Sequence, residues 1–404
     1  MCGEMKIFAR TANHRREIAA LCDGRLMEYI QEDAGAVSLV GTVLLGSVER
    51  VLPPVGAAFI KIGQPLNGFL PLTEKESFER NDSRAPLRTG TEVLVQVKKD
   101  AQGEKGAFLT RDIALPGLYC IYMPLNRHVG VSGRVKNEED REKLAALGRE
   151  LAAEGGMIMR HAALGTKPEE ITEELEGLRA LWQEIVKKAA HSKPPAVLYQ
   201  EPSAFSALLR DDAARYHLSV LADSEAYRAE LPTANTPFDL QSDIEMEALW
   251  QGAGIARQLT EALGRQVQLK GGGTLVIDER EALTTIDVNT ARRVGTECEQ
   301  GLGFVQNMEA CEEVARQIRL RNLSGILLID FIDMESDQER EQVQNALGEA
   351  LAKDRTKTVL HGFTRLGLFE MTRKRTRESL SQLLTVPCTV CRETGRSARK
   401  DRKH

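Results

Sequence analysis

The sequence predicts a multidomain protein of mixed α and β structure, with a small β-barrel ahead of a layer of alternating strands and helices. A chain of 404 residues is long enough for about two to four domains. Short β-prone runs separated by Gly, Pro and Asn fill residues 36–115, a texture typical of a small antiparallel barrel or sandwich. Strand-like and helix-like runs alternate over residues 250–370, which favours parallel strands covered by helices.

The first half of the chain contains strand-like runs followed by a long helix. EMKIFAR, close to the start of the sequence, is the first strand-like run. GAAFIKIG, NGFLPL and GTEVLVQVKK follow, and their β-branched and aromatic residues favour short strands. Residues 116–215 mix helical and extended patterns. Within them EEITEELEGLRALWQEIVKKAA (169–190) has apolar residues at helical spacing and predicts a surface helix.

Residues 250–370 have the clearest pattern. LWQGAGIARQLTEALG predicts one helix, and GTLVIDE, EALTTIDVNT and GILLIDFIDM predict strands. The amphipathic run NMEACEEVARQIRLRNLSG lies between the second and third of these strands and predicts a helix that connects them. Ser336 and Glu339 have the spacing of a capping box, so SDQEREQVQNALGEALAKD predicts a further helix.

Composition and charge argue against several classes of protein. The sequence has no run of eighteen apolar residues, and MCGEMKIFAR lacks the apolar stretch of a signal peptide, so we expect neither a membrane span nor secretion. Seven scattered cysteines argue against a disulfide framework and predict a reducing, cytoplasmic location. The net charge is −5, but positive charge collects in 371–380 and 392–404. Such runs either contact nucleic acid or form solvated faces and tails, and both interpretations stay open here.

Polar side chains interrupt two of the predicted strands. Alternate side chains of a strand share a face, so Asp287 and Asn289 in LTTIDVNT point the same way. Asp330 and Asp333 are three residues apart, so only one can meet Asp287 on a neighbouring strand, and Asp330 is better placed. Adjacent carboxylates repel unless they share a proton or a cation, and oxygen ligands on a rigid sheet suit Mg²⁺. Alternatively, each aspartate caps a loop or helix at a strand end.

Two aromatic residues lie in neighbouring short strands of the predicted barrel. OB-type barrels bind single-stranded nucleic acid by stacking bases on such side chains, which makes Phe59 and Phe69 candidates. Lys105, in GEKGAFLT, would place a positive charge nearby. The alternative is that both rings belong to the core of the barrel.

The motif CTVC contains Cys388 and Cys391, which is half of a structural zinc site. A second copy of the chain related by two-fold symmetry would supply the other two thiolates. A redox-active dithiol or an inert pair of cysteines are the alternatives.

Several stretches taken together resemble the ribonuclease E/G family of bacterial endoribonucleases. They are GAAFIKIG…NGFLPL, RHVGVSGRV, EALTTIDVNTARRVG, ARQIRLRNLSGILLIDFIDM, LGLFEMTRKRTRESL and CTVCRETG. The resemblance implies a multidomain α/β (α+β) architecture whose parts are an RNase H-like fold (1–35 and 216–275), an inserted S1 or OB-fold domain (36–115), a 5′-sensor region (116–215), a DNase I-like catalytic domain (276–384), and a zinc link with a basic tail (385–404).

The resemblance implies a metal-binding role for several side chains. Asp287 and Asp330 match the family's Mg²⁺-binding aspartates, and Asn289 matches the asparagine beside them. Cys388 and Cys391 match the cysteines that bind Zn²⁺ between two subunits, so a homodimer through this zinc link is expected.

RNA-contacting residues are also implied by the resemblance. They are Phe59, Phe69 and Lys105 in the S1 domain, and Gly130 and Arg160 where the family recognises a 5′-monophosphate. His161 stands where the family usually has threonine. An imidazole replaces the hydroxyl there and can still donate a hydrogen bond.

The expected function is a Mg²⁺-dependent endoribonuclease that cleaves single-stranded RNA and leaves 5′-phosphate and 3′-hydroxyl ends, in rRNA processing, mRNA decay or both. No long scaffold arm is expected after the zinc link, and in this respect the sequence resembles the shorter G type more than the E type. The alternative is a non-catalytic RNA-binding factor that acts through its S1 domain. It predicts RNA binding without Mg²⁺-dependent cleavage.

Overall fold

A computed structural model of the chain describes residues 3–33, 38–72, 87–101, 103–152, 155–200, 203–213, 215–230, 238–290 and 302–386. The chain divides into two compact units. The first comprises Met1–Gln31, Ser219–Ser224 and Leu240–His404, and the second comprises Glu32–Leu218 and Glu225–Asp239. The mixed α/β class predicted from the sequence is confirmed. Strands and helices are numbered in chain order below.

The chain begins in a five-stranded sheet with the order β15-β14-β1-β2-β3. Its strands are β1 (Glu4–Ala12), β2 (Arg15–Cys22), β3 (Arg25–Asp33), β14 (His217–Ala222) and β15 (Phe238–Gln241). Three helices accompany these strands in the first unit, α4 (Met246–Gly252), α5 (Ile255–Leu263) and α8 (Leu380–Leu384). The chain therefore leaves this sheet after β3 and returns to it at β14. The assignment of an RNase H-like fold stays a prediction.

The single helix predicted from LWQGAGIARQLTEALG is wrong. Gly254 has a left-handed backbone with φ of 62°, so α4 ends before it and α5 begins after it. The side chains of both helices still face one core, in which Met246, Trp250 and Ile255 pack with Phe8. The apolar spacing correctly predicts the buried residues, but it does not predict the break at Gly254, where glycine permits a left-handed backbone.

The second unit contains a closed five-stranded barrel. Its strands are β4 (Val43–Leu52), β5 (Ala57–Lys61), β6 (Gly68–Pro71), β7 (Glu92–Lys99) and β8 (Phe108–Thr110). They follow the order β4-β5-β6-β8-β7, and β7 pairs back onto β4, while β13 (Ala196–Tyr199) extends the sheet beside β4. This closed barrel is consistent with the S1 or OB type predicted from the sequence.

A smaller sheet lies in the same unit as the barrel. Its strands are β9 (Leu115–Pro116), β10 (Cys120–Met123), β11 (Val129–Val131) and β12 (Gly156–Met159), and their order is β11-β12-β10-β9. The accompanying helices are α1 (Glu138–Leu151), α2 (Pro168–His191) and α3 (Ala204–Asp212). The helix α2 agrees with the helix predicted for 169–190, and its Ile171, Leu175 and Trp182 are buried.

A six-stranded sheet with the order β16-β17-β18-β19-β21-β20 carries the predicted carboxylates. Its strands are β16 (Gln266–Gln268), β17 (Thr274–Glu279), β18 (Leu283–Asn289), β19 (Gly325–Asp330), β20 (Thr358–Phe363) and β21 (Phe369–Arg373). One face of the sheet packs against α6 (Leu302–Leu320) and α7 (Asp337–Leu351) in a continuous apolar core. The capping box of Ser336 and Glu339 at the start of α7 is confirmed.

Strand direction in this sheet departs from the predicted parallel layer. Only β18 and β19 run parallel, and α6 lies between them in the chain, whereas the other neighbours are antiparallel. The strand predicted from GILLIDFIDM is also shorter than expected, because β19 ends at Asp330. Asp330 is thus the last residue of its strand, and Asp333 lies beyond it.

The basic segment 371–380 is anchored by buried ion pairs. Arg373 donates from Nε to Asp354 Oδ2 at 2.7 Å, and Arg377 donates to Glu28. Glu28 is 3% exposed and also pairs with Arg319 and Arg355. Arg373 and Arg377 therefore stabilise the fold, while Lys374 and Arg375 are exposed.

Within the described residues, each helix is too short or too polar to cross a membrane. Cys120 and Cys311 are free and buried.

Candidate active site

The exposed face of the six-stranded sheet brings the predicted carboxylates together. Residues of β18 alternate between exposed and buried, so Asp287 and Asn289 face outward while Ile286 and Val288 enter the core. In the parallel pair of β18 and β19, Asp287 and Asp330 are direct register partners. This register agrees with the prediction that Asp330, rather than Asp333, lies beside Asp287.

Asn289 orients one of the two carboxylates. Its Nδ2 donates to Asp287 Oδ2 at 2.9 Å, which leaves the second carboxylate oxygen of Asp287 for another partner. Asp330 lies at the exposed end of β19. The two aspartates thus present oxygen atoms side by side on a rigid sheet.

These residues fit a magnesium ion. Like charges on adjacent strands are destabilising unless a cation or a proton lies between them. Mg²⁺ uses one or two carboxylates and keeps several waters, so the pair Asp287 and Asp330 is a sufficient protein contribution. Among the described residues there is no group of three or more His, Cys, Asp or Glu that could hold a metal. Water and substrate oxygens would therefore supply the other ligands.

Arg265 places a positive charge close to the carboxylates. It donates from Nε and Nη2 to Asp278, at 2.7 and 2.6 Å. This hydrogen bond lowers the pKa of Asp278 and raises the pKa of Arg265, to which the charge of Asp287 adds a smaller contribution. Asp278 is thus already neutralised by a partner, which distinguishes it from Asp287 and Asp330.

Gly273 and a buried amide constrain the backbone around the site, and no sequence pattern indicates either of them. A Cβ on Gly273 would lie 2.6 Å from the carbonyl oxygen of Asn289, so only glycine permits this close approach. Asn307, on α6, is fully buried. Its Nδ2 donates to Ile332 O at 2.8 Å and its Oδ1 accepts from Ile332 N at 3.0 Å. This side chain fixes the backbone immediately after β19.

The aromatic residues predicted to bind RNA lie on the outer face of the barrel. Phe59 and Phe69 are register partners on β5 and β6, with ring centroids 6.0 Å apart. Their chain neighbours Ala58, Ile60 and Leu70 fill the barrel interior instead. The alternative that both rings belong to the core is therefore wrong. Lys105 is exposed and lies shortly before β8.

The residues predicted to recognise a 5′-phosphate gather at the small sheet of the second unit. The parallel strands β11 and β12 place Gly130 opposite Ile158, two residues before Arg160. Arg160 donates to the carbonyl oxygen of Gly117 and to Asp211. Its guanidinium is thus held by internal partners.

His161 follows Arg160 and opens a 3₁₀ turn, His161–Ala163. Partial burial lowers the pKa of His161, and the charges of Arg215 and Arg134 lower it further. The imidazole is therefore biased toward its neutral form, in which one ring nitrogen can still donate a hydrogen bond. Cys388 and Cys391, the predicted zinc ligands, lie outside the described residues.

The chain is similar to known proteins over most of its length. The Ribonuclease E/G family profile matches residues 114–376. Ribonuclease G from Haemophilus influenzae is 37% identical over 405 residues, which span 96% of this chain and 82% of that protein. Ribonuclease G from Escherichia coli K12 is 38% identical over 396 residues, covering 93% of this chain and 81% of the relative.

The chain belongs to the ribonuclease E/G family. Ribonuclease E from Escherichia coli K12 is also similar, with 36% identity over 414 residues, but the match spans 97% of this chain and only 39% of that longer protein. Membership in the ribonuclease E/G family therefore rests on almost the whole of this chain. The resemblance inferred from the sequence motifs is confirmed.

Proposed function

We propose that this protein is an endoribonuclease of the ribonuclease E/G family that hydrolyses single-stranded RNA with Mg²⁺ and leaves 5′-phosphate and 3′-hydroxyl ends, in rRNA processing, mRNA decay or both. The observation that carries the proposal is the register pair Asp287 and Asp330, with Asn289 donating to Asp287, on the exposed face of a sheet. Paired carboxylates of this kind serve no packing role, because the core of the sheet lies on its other face.

Each side chain of the site has a separate role in the proposed reaction. Asp287 and Asp330 would hold Mg²⁺, which supplies positive charge at the scissile phosphodiester and an activated water. Asn289 keeps Asp287 in one orientation through its amide hydrogen bond, and Gly273 and Asn307 hold the backbone on either side. Arg265, which is already paired with Asp278, adds a positive charge beside the phosphate path.

Three further parts of the proposal come from the family. Phe59, Phe69 and Lys105 are proposed to bind RNA on the barrel, which their outward orientation supports. Gly130, Arg160 and His161 are proposed to recognise the 5′ end. Cys388 and Cys391 are proposed to bind Zn²⁺ between two chains of a cytoplasmic homodimer.

Cleavage of a short single-stranded RNA in the presence of Mg²⁺ tests the catalytic assignment. Asp287→Asn and Asp330→Asn are each expected to lower kcat/KM by at least about a hundredfold, because a metal ligand is worth several kcal/mol of transition-state stabilisation. Asp333→Asn is the matched control, since this exposed aspartate lies three residues past Asp330 and outside the strand. It is expected to leave the rate within about twofold.

The same assay separates the proposal from its alternative. Wild-type rates by the folded Asp287→Asn and Asp330→Asn variants would refute the assignment of the two aspartates. RNA binding by the wild type without any Mg²⁺-dependent cleavage would instead favour the non-catalytic S1-domain factor. Cleavage rates are also compared for substrates with a 5′-monophosphate and with a 5′-hydroxyl end. The two rates are expected to differ if the Arg160 region senses the 5′ end, and to be equal if it does not.

A further inference from the structure

A continuous row of five side chains crosses the barrel. Arg50 on β4 is the register partner of Phe59 on β5, Phe59 of Phe69 on β6, and Phe69 of Phe108 on β8. Phe108 in turn is the partner of Lys99 on β7. We refer to Arg50, Phe59, Phe69, Phe108 and Lys99 as the barrel row. Three aromatic rings are thus flanked by a cation at each end.

The third ring shares the geometry of the other two. The Phe69 and Phe108 ring centroids are 5.8 Å apart, close to the 6.0 Å between Phe59 and Phe69. Ala107 and Leu109, the chain neighbours of Phe108, are buried in the barrel interior, so the ring of Phe108 faces outward. All three rings are partly exposed, which leaves aromatic surface open to a ligand.

Charge surrounds the row on the outer face of the barrel. Lys99 Nζ lies 5.8 Å from the centroid of the Phe108 ring. At the other end, a surface hollow is lined by Glu49, Arg50, Phe59 and Asn67. Glu49 in that hollow pairs with Lys61 at 2.6 Å, so its negative charge is compensated. An array of apolar rings between cations matches a ligand of flat bases joined by phosphates.

We propose that Phe108 is a third base-stacking position and that the barrel row holds three consecutive unpaired bases of RNA. This inference rests on the proposed RNA-binding role of the barrel and extends it, since Phe108 was not a candidate from the sequence. The side chains of Arg50 and Lys99 contact the phosphates that flank the three bases. The barrel row therefore sets the number of unpaired bases that stack on the barrel.

Binding of a fluorescently labelled oligouridylate by the full-length protein, measured by anisotropy in buffer without Mg²⁺, tests the proposal. Phe108→Leu keeps an apolar side chain but removes the aromatic face, and it is expected to weaken binding about 5- to 150-fold. Phe108→Trp is expected to retain affinity within about threefold, because stacking needs only an aromatic face. Val55→Ala is the matched control, since Val55 is a barrel residue 67% exposed and outside the row.

Abasic sites in the oligonucleotide count the stacked bases. With the wild type we expect three consecutive positions at which removal of a base weakens binding, and with Phe108→Leu only two. Equal affinity of wild type and Phe108→Leu, or two sensitive positions in both, would overturn the role of Phe108 while the RNA-binding barrel stands. A wild type that does not bind the oligonucleotide would overturn the RNA-binding role of the barrel itself.

Discussion

Replacement of Glu28 by glutamine is expected to lower the free energy of unfolding of the first unit by about 3 kcal/mol at pH 7. Glu28 accepts hydrogen bonds from Arg319, Arg355 and Arg377. Burial raises the pKa of Glu28, but the three guanidinium charges outweigh it and lower the pKa from 4.5 to about 2. At about 1.36 kcal/mol per pKa unit, this shift corresponds to about 3 kcal/mol. Glutamine would also remove the negative charge that these three guanidinium groups share.

The pH dependence gives a second test of the same reasoning. The pKa of Glu28 is lower in the folded state, so its stabilisation is fully present above pH 4.5 and is lost as the pH falls toward about 2. The difference in stability between wild type and Glu28→Gln is therefore expected to be full at pH 7 and smaller at pH 3. Urea unfolding would be followed by the fluorescence of Trp250, which is buried in this unit, in a Trp182→Phe background.

Glu281→Gln serves as the control for the Glu28 measurement. Glu281 is exposed in the turn between β17 and β18, so its replacement is expected to change stability by less than about 0.5 kcal/mol. A loss below about 1 kcal/mol for Glu28→Gln at pH 7, or a difference that stays constant between pH 7 and pH 3, would refute the reasoning.

Two other predictions concern the site and the zinc link. Gly273→Ala is expected to lower kcat/KM for single-stranded RNA by at least about tenfold, because the new Cβ displaces the backbone of Asn289. Gly252→Ala is the control, since a Cβ at that position meets no atom within 4 Å. Equal rates for the two variants would contradict the prediction. Metal analysis is expected to find about one zinc per two chains, and Cys388→Ser should give monomers by light scattering, whereas a full zinc per chain would point to ligands within one subunit.

The local parts of the site could be predicted from the sequence because they depend on spacing alone. Alternation along β18 placed Asp287 and Asn289 on one face, and the structure agrees. The placement of Asp330 directly opposite Asp287 depends on the register between β18 and β19, which the intervening helix α6 and its packing determine. The spacing of residues along the sequence could suggest Asp330 as the partner of Asp287, but it could not establish that the two strands are neighbours in this register.

Features that depend on distant segments were missed. Phe108 joins Phe69 through the parallel pairing of β6 and β8, which no local pattern reveals. The basic run 371–380 does not reveal which of its cations form ion pairs, because the partners of Arg373 and Arg377, which are Asp354 and Glu28, are distant in sequence. The break between α4 and α5 was missed because the apolar spacing continues through Gly254.

The position of the carboxylates has a consequence for stability as well as for activity. Asp287 and Asp330 lie opposite each other on adjacent strands, and like charges so placed are destabilising by about 0.2–1 kcal/mol. The core on the other face of the sheet stabilises the fold without them. Asp330→Asn removes this repulsion, so it is expected to raise the free energy of unfolding by about 0.2–1 kcal/mol, while it lowers kcat/KM by at least about a hundredfold. Urea unfolding without Mg²⁺ measures this gain. A loss of stability would instead show that Asp330 is a structural cap, as the alternative interpretation of the sequence requires.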